Sequence, residues 1–228
     1  MSDYKIECIS LCMEYLSKNQ RVNALEDINL HINKNDTILL KGRSGAGKST
    51  LLNLMCGLIK PTSGKVIIDN ICINELPDDR LSNLLSEKIG IIFQSFNLLP
   101  TYTVYENIEI AIVTKGLKES LVKEYIMSYL EKFNLKDKAY LLPTELSVGQ
   151  QQKIAIIRTL IKQPSIIFAD EPTGSVDEET AGEILTHLVN FKKENGVTLV
   201  IATHGNISEE FADRIYTIEN GRIKTEPL

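Results

Sequence analysis

Apolar and polar positions alternate in the first third of the chain and recur at helical spacing in its middle. The stretch "IECISLCMEY" (6–15) is apolar-rich and strand-like, and "DINLHIN" sets Ile28, Leu30 and Ile32 on one face. "TILLK" (37–41) is a short apolar run that ends before a glycine, as a buried strand does. A helix is predicted over 48–56, stopped near Gly57 and Pro61, followed by strands at "GKVIID" and "IGIIFQ". The centre then changes character. "VYENIEIAIVTKG" and "KESLVKEYIMSYLEKFNL" have helical length and spacing, with Leu121, Tyr125, Leu130 and Phe133 roughly on one side. A further helix follows Ser147. Alternation of strands and helices then returns, with "SIIFAD", a helix over 178–193, "VTLVIAT", and short strands at "RIYTIE" and "RIKTE". This order predicts an α/β core interrupted by a helical subdomain at about 95–160.

The helix after Ser147 opens on "ELSVGQQQK". Ser147 and Gln150 stand three apart, the spacing of a capping box: the serine accepts a main-chain N–H and the glutamine reaches back. The free N–H groups of such a helix end also bind anions. Capping boxes are common, so the stretch alone favours the first reading.

Composition narrows the class. With 228 residues, 43% of them apolar, the chain has enough for one substantial core, or one core with a satellite. The net charge is −5, and no Lys/Arg run exceeds two residues, which argues against a nucleic-acid partner. No apolar run approaches the roughly 18 residues of a membrane span, and "MSDYKIECIS" lacks the pattern of a secretory signal. Cys8, Cys12, Cys56 and Cys72 form no C-x-x-C pair and read as small apolar residues in a reducing compartment. The expectation is a cytoplasmic protein that needs another chain for any membrane part.

Chemistry enters at "GRSGAGKST" (42–50), which fits G-x-x-x-x-G-K-[ST] between an apolar strand and an apolar helix. Gly42, Gly45 and Gly47 let the main chain of Arg43, Ser44 and Ala46 bend, so that successive N–H groups point into one hollow. Lys48 is placed for the β- and γ-phosphates of a nucleotide, Ser49 for Mg²⁺, and Thr50 continues the helix end. In "SIIFADEP" the apolar run is a buried strand, with Asp170 and Glu171 emerging at the C-terminal edge where ligands of open α/β sheets bind. Asp170 is expected to hold Mg²⁺ through its waters, and Glu171 to polarise an attacking water. His204 follows "VTLVIAT" and is expected at the same edge, donating to the γ-phosphate and orienting the water. Gln94 ends "IGIIFQ" and is a candidate sensor of metal or water.

With these residues in view, the chain resembles the ATP-binding subunit of ABC transporters over essentially all of its length. The ordered set is the phosphate loop at 42–50, Gln94, "LSVGQ" at 146–150, "IIFADEP" at 166–172, "SVD" at 175–177 and His204. The resemblance implies a P-loop NTPase core of the ABC ATPase type, with an N-terminal antiparallel β-subdomain and the inserted α-helical subdomain. It implies ATP and Mg²⁺ as ligands. It also implies a homodimer, or a pair with a related subunit, and an integral membrane permease or adaptor on a separate chain. The protein would then sit at the cytoplasmic face of the membrane. Gln94 would begin the hinge facing that partner, Asp177 would cross the dimer seam, and Tyr15 would stack on adenine. Ser147, Val148, Gly149 and Gln150 would point at the γ-phosphate of ATP held by the other subunit. The stretches "FQSFNLLPTYTVYENIEI" and "DEPTGSVD" resemble the lipoprotein-releasing, macrolide/peptide-exporting and cell-division branch. A regulatory ATPase driving a non-transporting adaptor is the alternative within it. Five positions depart from the common pattern: Val148 for glycine, Lys153 for arginine, Gly205 for aspartate, and Asn35–Asp36 for Gly-Glu.

Overall fold

The computed structural model describes residues 4–17, 20–205 and 207–225. In chain order these are β1 (Tyr4–Ser17), β2 (Gln20–Asn33), β3 (Thr37–Lys41), α1 (Lys48–Met55), β4 (Ser63–Ile68), β5 (Ile71–Cys72), α2 (Asp78–Glu87) and β6 (Ile89–Ile92). There follow α3 (Val104–Glu109), α4 (Glu119–Lys132), α5 (Val148–Leu160), β7 (Ile166–Asp170), α6 (Glu178–Asn195), β8 (Thr198–Thr203), β9 (Arg214–Glu219) and β10 (Arg222–Thr225). An antiparallel sheet has the order β2-β1-β4-β5. A second sheet has the order β10-β9-β3-β8-β7-β6, parallel except for β10 at its edge.

The apolar runs of the central strands are divided by the two-residue period of a strand. In β3, Ile38 and Leu40 enter one core and Leu39 the other. The same holds for Ile166 and Phe168 against Ile167 and Ala169 in β7, and for Val200 and Ala202 against Leu199 and Ile201 in β8. The first core is closed by α1 and the antiparallel sheet, through residues such as Leu51, Leu54, Ile6 and Ile28. The second is closed by α3, α4, α5 and α6, through Ile108, Ile126, Ile157 and Leu188. Both faces of the parallel sheet are therefore covered, which is why its strands read as unbroken apolar runs. Function is left to the strand ends.

The structure corrects several expectations. The α2 helix was not legible: it is short and polar, buries no residue fully, and offers only Leu81, Leu84 and Leu85 to the first core. The stretch 104–116 is not one helix, since α3 ends at Glu109 and a separate 3₁₀ turn covers Val113–Lys115. On α4 the buried face is Val122, Ile126, Tyr129 and Leu130, while Leu121 is exposed. β6 ends at Ile92, so Gln94 lies beyond the strand. The end of "RIKTE", Glu226, lies outside the described residues. The four cysteines are free, and burial pushes the Cys8 and Cys56 thiols up to about 12, as inert packing groups. Among the described residues no helix is long and apolar enough to cross a membrane.

Candidate functional site

Between β3 and α1 the chain makes the tight loop 42–47. Gly47 stands at the N-cap with φ of 107°, and a Cβ there would lie 2.7 Å from the Ala24 carbonyl and 2.8 Å from Leu25 Cδ2. β2 thus presses on the loop exit, and only glycine fits both the dihedral and the space. No side chain caps α1. Its first N–H groups and its partial positive charge are therefore available to an anion. Lys48 is buried, and its Nζ donates to the carbonyls of Gly42 (2.9 Å) and Arg43 (3.3 Å). The loop's own carbonyls hold the ammonium over the hollow.

The end of β7 brings the carboxylates to this loop. Ser49 Oγ donates to Asp170 Oδ1 at 3.0 Å. Burial raises the Asp170 carboxyl above its ordinary range; the Ser49 donation opposes this, Glu171 adds to it, and Lys48 opposes it again. The paired hydroxyl and carboxylate suit Mg²⁺, which takes few protein oxygens and keeps phosphate oxygens and water as its other ligands. Among the described residues no group of three or more His, Cys, Asp or Glu could hold a metal alone. The donor set fits an ion that arrives with a nucleotide.

Glu171 follows at φ of 48°, in the left-handed region, while its N–H still donates to the Ala202 carbonyl at 2.9 Å. This local kink interrupts strand alternation, so that adjacent carboxylates both face the phosphate loop. Glu171 is 8% exposed and its Oε1 lies 3.9 Å from Lys48 Nζ. His204, just past β8, donates from Nδ1 to Glu171 Oε1 at 2.6 Å, since an ionised carboxylate only accepts. With that proton engaged, Nε2 can donate to a phosphate only if the ring is an imidazolium. Thr203 was missed in the sequence. Its hydroxyl donates to Glu171 Oε2 (3.3 Å) and accepts from the Gly205 N–H (3.0 Å). The available signal was a hydroxyl directly before His204 at the end of an apolar strand.

The other predicted residues sit on other elements, and no hydrogen bond or ion pair among the described residues joins them to this cluster. Ser147 caps α5 with the complete capping box: Gln150 N–H donates to Ser147 Oγ (3.3 Å), and Ser147 N–H donates to Gln150 Oε1 (3.0 Å). Val148 is 47% exposed in the first turn. Gly149 packs close to Thr180, whose Cγ2 would lie 3.0 Å from an added Cβ. A hollow of about 460 Å³ lies between the N-terminal ends of α5 and α6, lined by Ser147, Val148, Lys153, Asp177, Thr180 and Glu183 among others. Lys153 pairs with Glu183 across it. Asp177 caps α6, accepting the Thr180 N–H (2.9 Å) and hydroxyl (2.8 Å); the N–H holds its carboxyl below the usual range. No residue of 42–50 lines this hollow. Tyr15 is exposed on β1 opposite Val22, and Gln94 is exposed two residues past β6.

Comparison with known proteins gives the family and the fold. The ABC transporter family model matches residues 25–174. The lipoprotein-releasing system ATP-binding protein LolD of Blochmanniella floridana is 37% identical, over 97% of this chain and 94% of its own length. The glutamine transport ATP-binding protein GlnQ of Geobacillus stearothermophilus is 43% identical, over 90% of this chain and 84% of its own. Among solved structures, the dimeric post-hydrolysis state of the ATP-binding cassette MJ0796 of Methanocaldococcus jannaschii, bound to ADP and Pi, superposes with a TM-score of 0.92. It covers 97% of each chain at 35% identity.

Proposed function

Since this chain belongs to the ABC transporter family and is an ATP-hydrolysing subunit that powers transport, we propose that it drives the export or extraction of a lipoprotein, peptide or drug-like molecule. The observation that carries the reading is the convergence of Lys48, the Ser49–Asp170 pair and the Glu171–His204 pair at one edge of the parallel sheet. The main-chain N–H groups of 42–50 and Lys48 bind the phosphates of ATP, and Tyr15 stacks on its adenine. Ser49, Asp170 and Gln94 would hold Mg²⁺, which would supply charge neutralisation to the nucleotide's phosphates. Glu171 accepts a proton from the attacking water, and the buried Lys48 and the His204 N–H keep its carboxylate in place. The helical segment at about 95–160 carries Ser147, Gly149 and Gln150 to the ATP of a second copy or a related subunit, with Asp177 at the seam. The capping box and the anion site are then two uses of one helix end.

The export branch is supported by "FQSFNLLPTYTVYENIEI" and "DEPTGSVD", and by a LolD relative that matches nearly end to end. The protein works at the cytoplasmic face of a membrane through a permease on another chain. The test is to purify the chain with its membrane partner, reconstitute the complex in liposomes and measure ATPase activity. Stimulation by a lipidated or amphipathic peptide is expected. Stimulation by a free amino acid instead would overturn the export reading and favour amino-acid transport, since the name of GlnQ gives glutamine transport.

A further inference from the structure

Gln94 sits on a short span that consecutive residues of α5 grip from both sides. On the strand side, the Thr159 hydroxyl shares its single proton between the Ile91 carbonyl (3.0 Å) and the Ala155 carbonyl of its own helix (3.1 Å). On the loop side, Arg158 donates from Nη1 to the Asn97 carbonyl (2.7 Å) and from Nη2 to the Phe96 carbonyl (2.9 Å). Asn97 is held at φ of 48°, a left-handed conformation that asparagine tolerates better than most residues. Beyond it, the fully buried Asn107 of α3 fastens the rest of the loop, accepting the Leu99 N–H (2.8 Å) and donating to the Leu99, Tyr102 and Thr103 carbonyls.

The choice of arginine is informative. Burial pulls the Arg158 guanidinium below its usual range, and among the described residues no carboxylate pairs with it. A partly desolvated cation placed on two successive carbonyls is an expensive way to hold a loop unless the loop's position matters. Its planar fork spans two acceptors at fixed spacing, which a lysine ammonium does not. Only residues 92–95 are left between the two grips, and Gln94 is among them. The helix that makes both grips is the one that begins at Ser147.

We propose that Arg158 is a positioning residue for hydrolysis: together with Thr159 it brackets Gln94, so that the last turn of α5 sets where the Gln94 amide stands relative to Ser49 and Asp170. The inference rests on the reading above that Gln94 serves the metal and water. Engagement of the Ser147 end of α5 would then be felt at Gln94 through the other end of the same helix.

The test is a double-mutant cycle on steady-state ATPase activity, with a fluorescent ATP analogue for binding and a thermal melt for folding. Arg158→Lys is expected to lower kcat about tenfold or more. KM for ATP should stay within about twofold, and half-maximal activity should need more Mg²⁺. In a Gln94→Ala background Arg158→Lys should cost nothing further. Thr159→Val, which removes the other grip without touching a charge, should show the same dependence on Gln94, and it carries the test if Arg158→Lys misfolds. Equal losses in both backgrounds, or parental kcat in a folded Arg158→Lys protein, would overturn the bracket while leaving the role of Gln94 standing. Parental kcat and Mg²⁺ dependence in Gln94→Ala would overturn that role and the inference with it.

Discussion

Glu171 receives the His204 Nδ1–H at 2.6 Å and the Thr203 hydroxyl at 3.3 Å, with Lys48 Nζ 3.9 Å away. These contacts hold a buried carboxylate in one orientation beside the phosphate loop. A general base typically contributes about 10²–10⁴-fold. Glu171→Gln, which keeps shape but cannot take a proton, should lose turnover by that factor while still binding MgATP. Full steady-state activity in the purified variant would remove Glu171 from the mechanism. Lys48→Ala should instead weaken nucleotide binding itself, because it removes the charge over the hollow. At this scale the residue types were legible, since 42–50 and 166–172 carry their chemistry in their letters. The partners of Glu171 were less so. Its bond to Thr203 depends on the parallel register that sets Asp170 opposite Ala202, and no local pattern announces that register or the left-handed φ of Glu171.

At the scale of elements, α5 and α6 are capped by the two residues that also border the hollow, Ser147 and Asp177. Replacing a capping serine by alanine typically costs about 1 kcal/mol. Ser147→Ala should therefore lower the thermal midpoint by about 2–4 °C in a domain of this size. Ser147→Asn should retain most of the stability, and differential scanning calorimetry would show whether the box stabilises the fold at all. Asp177 behaves differently with pH. Its folded carboxyl lies below the ordinary value because it accepts the Thr180 N–H. Its contribution is thus present above the unfolded value and is lost as pH falls through the lowered folded one. The capping box was readable from a three-residue spacing. The face of α4 was not. Leu121 and Leu130 look equivalent in the sequence, and only the direction in which α4 meets α5 and α6 buries Val122 and Ile126 and exposes Leu121.

At the scale of the whole molecule, the hollow at the Ser147 end of α5 is lined by no residue of the phosphate loop. If each completes the other across a dimer, hydrolysis depends on association. The rate per chain should fall on dilution below the dimer's dissociation constant. Glu171→Gln should accumulate as a dimer in ATP, and adding Ser147→Arg should abolish that dimer while leaving ATP binding to the monomer intact, because the arginine fills the space meant for phosphate. Size-exclusion chromatography with light scattering, with and without ATP, measures both. A Glu171→Gln protein that binds ATP yet stays monomeric, with the membrane partner present as well as without it, would count against a shared site.

The sequence by itself determined the strands around the parallel core, the phosphate loop, the acidic strand end and the capped start of α5. Each of these is written in contiguous residues, where period, glycine placement and side-chain chemistry act over a few bonds. The tertiary structure alone decided which apolar residues of a strand enter which core, that Asp170 and Glu171 face the same loop, and that Thr203 supports Glu171. It also decided that Thr159 meets the Ile91 carbonyl and Arg158 the Phe96 and Asn97 carbonyls, on either side of Gln94. These depend on strand order, parallel register and helix rotation, which arise from burying two faces of one sheet at once and leave no mark in any short stretch of the chain.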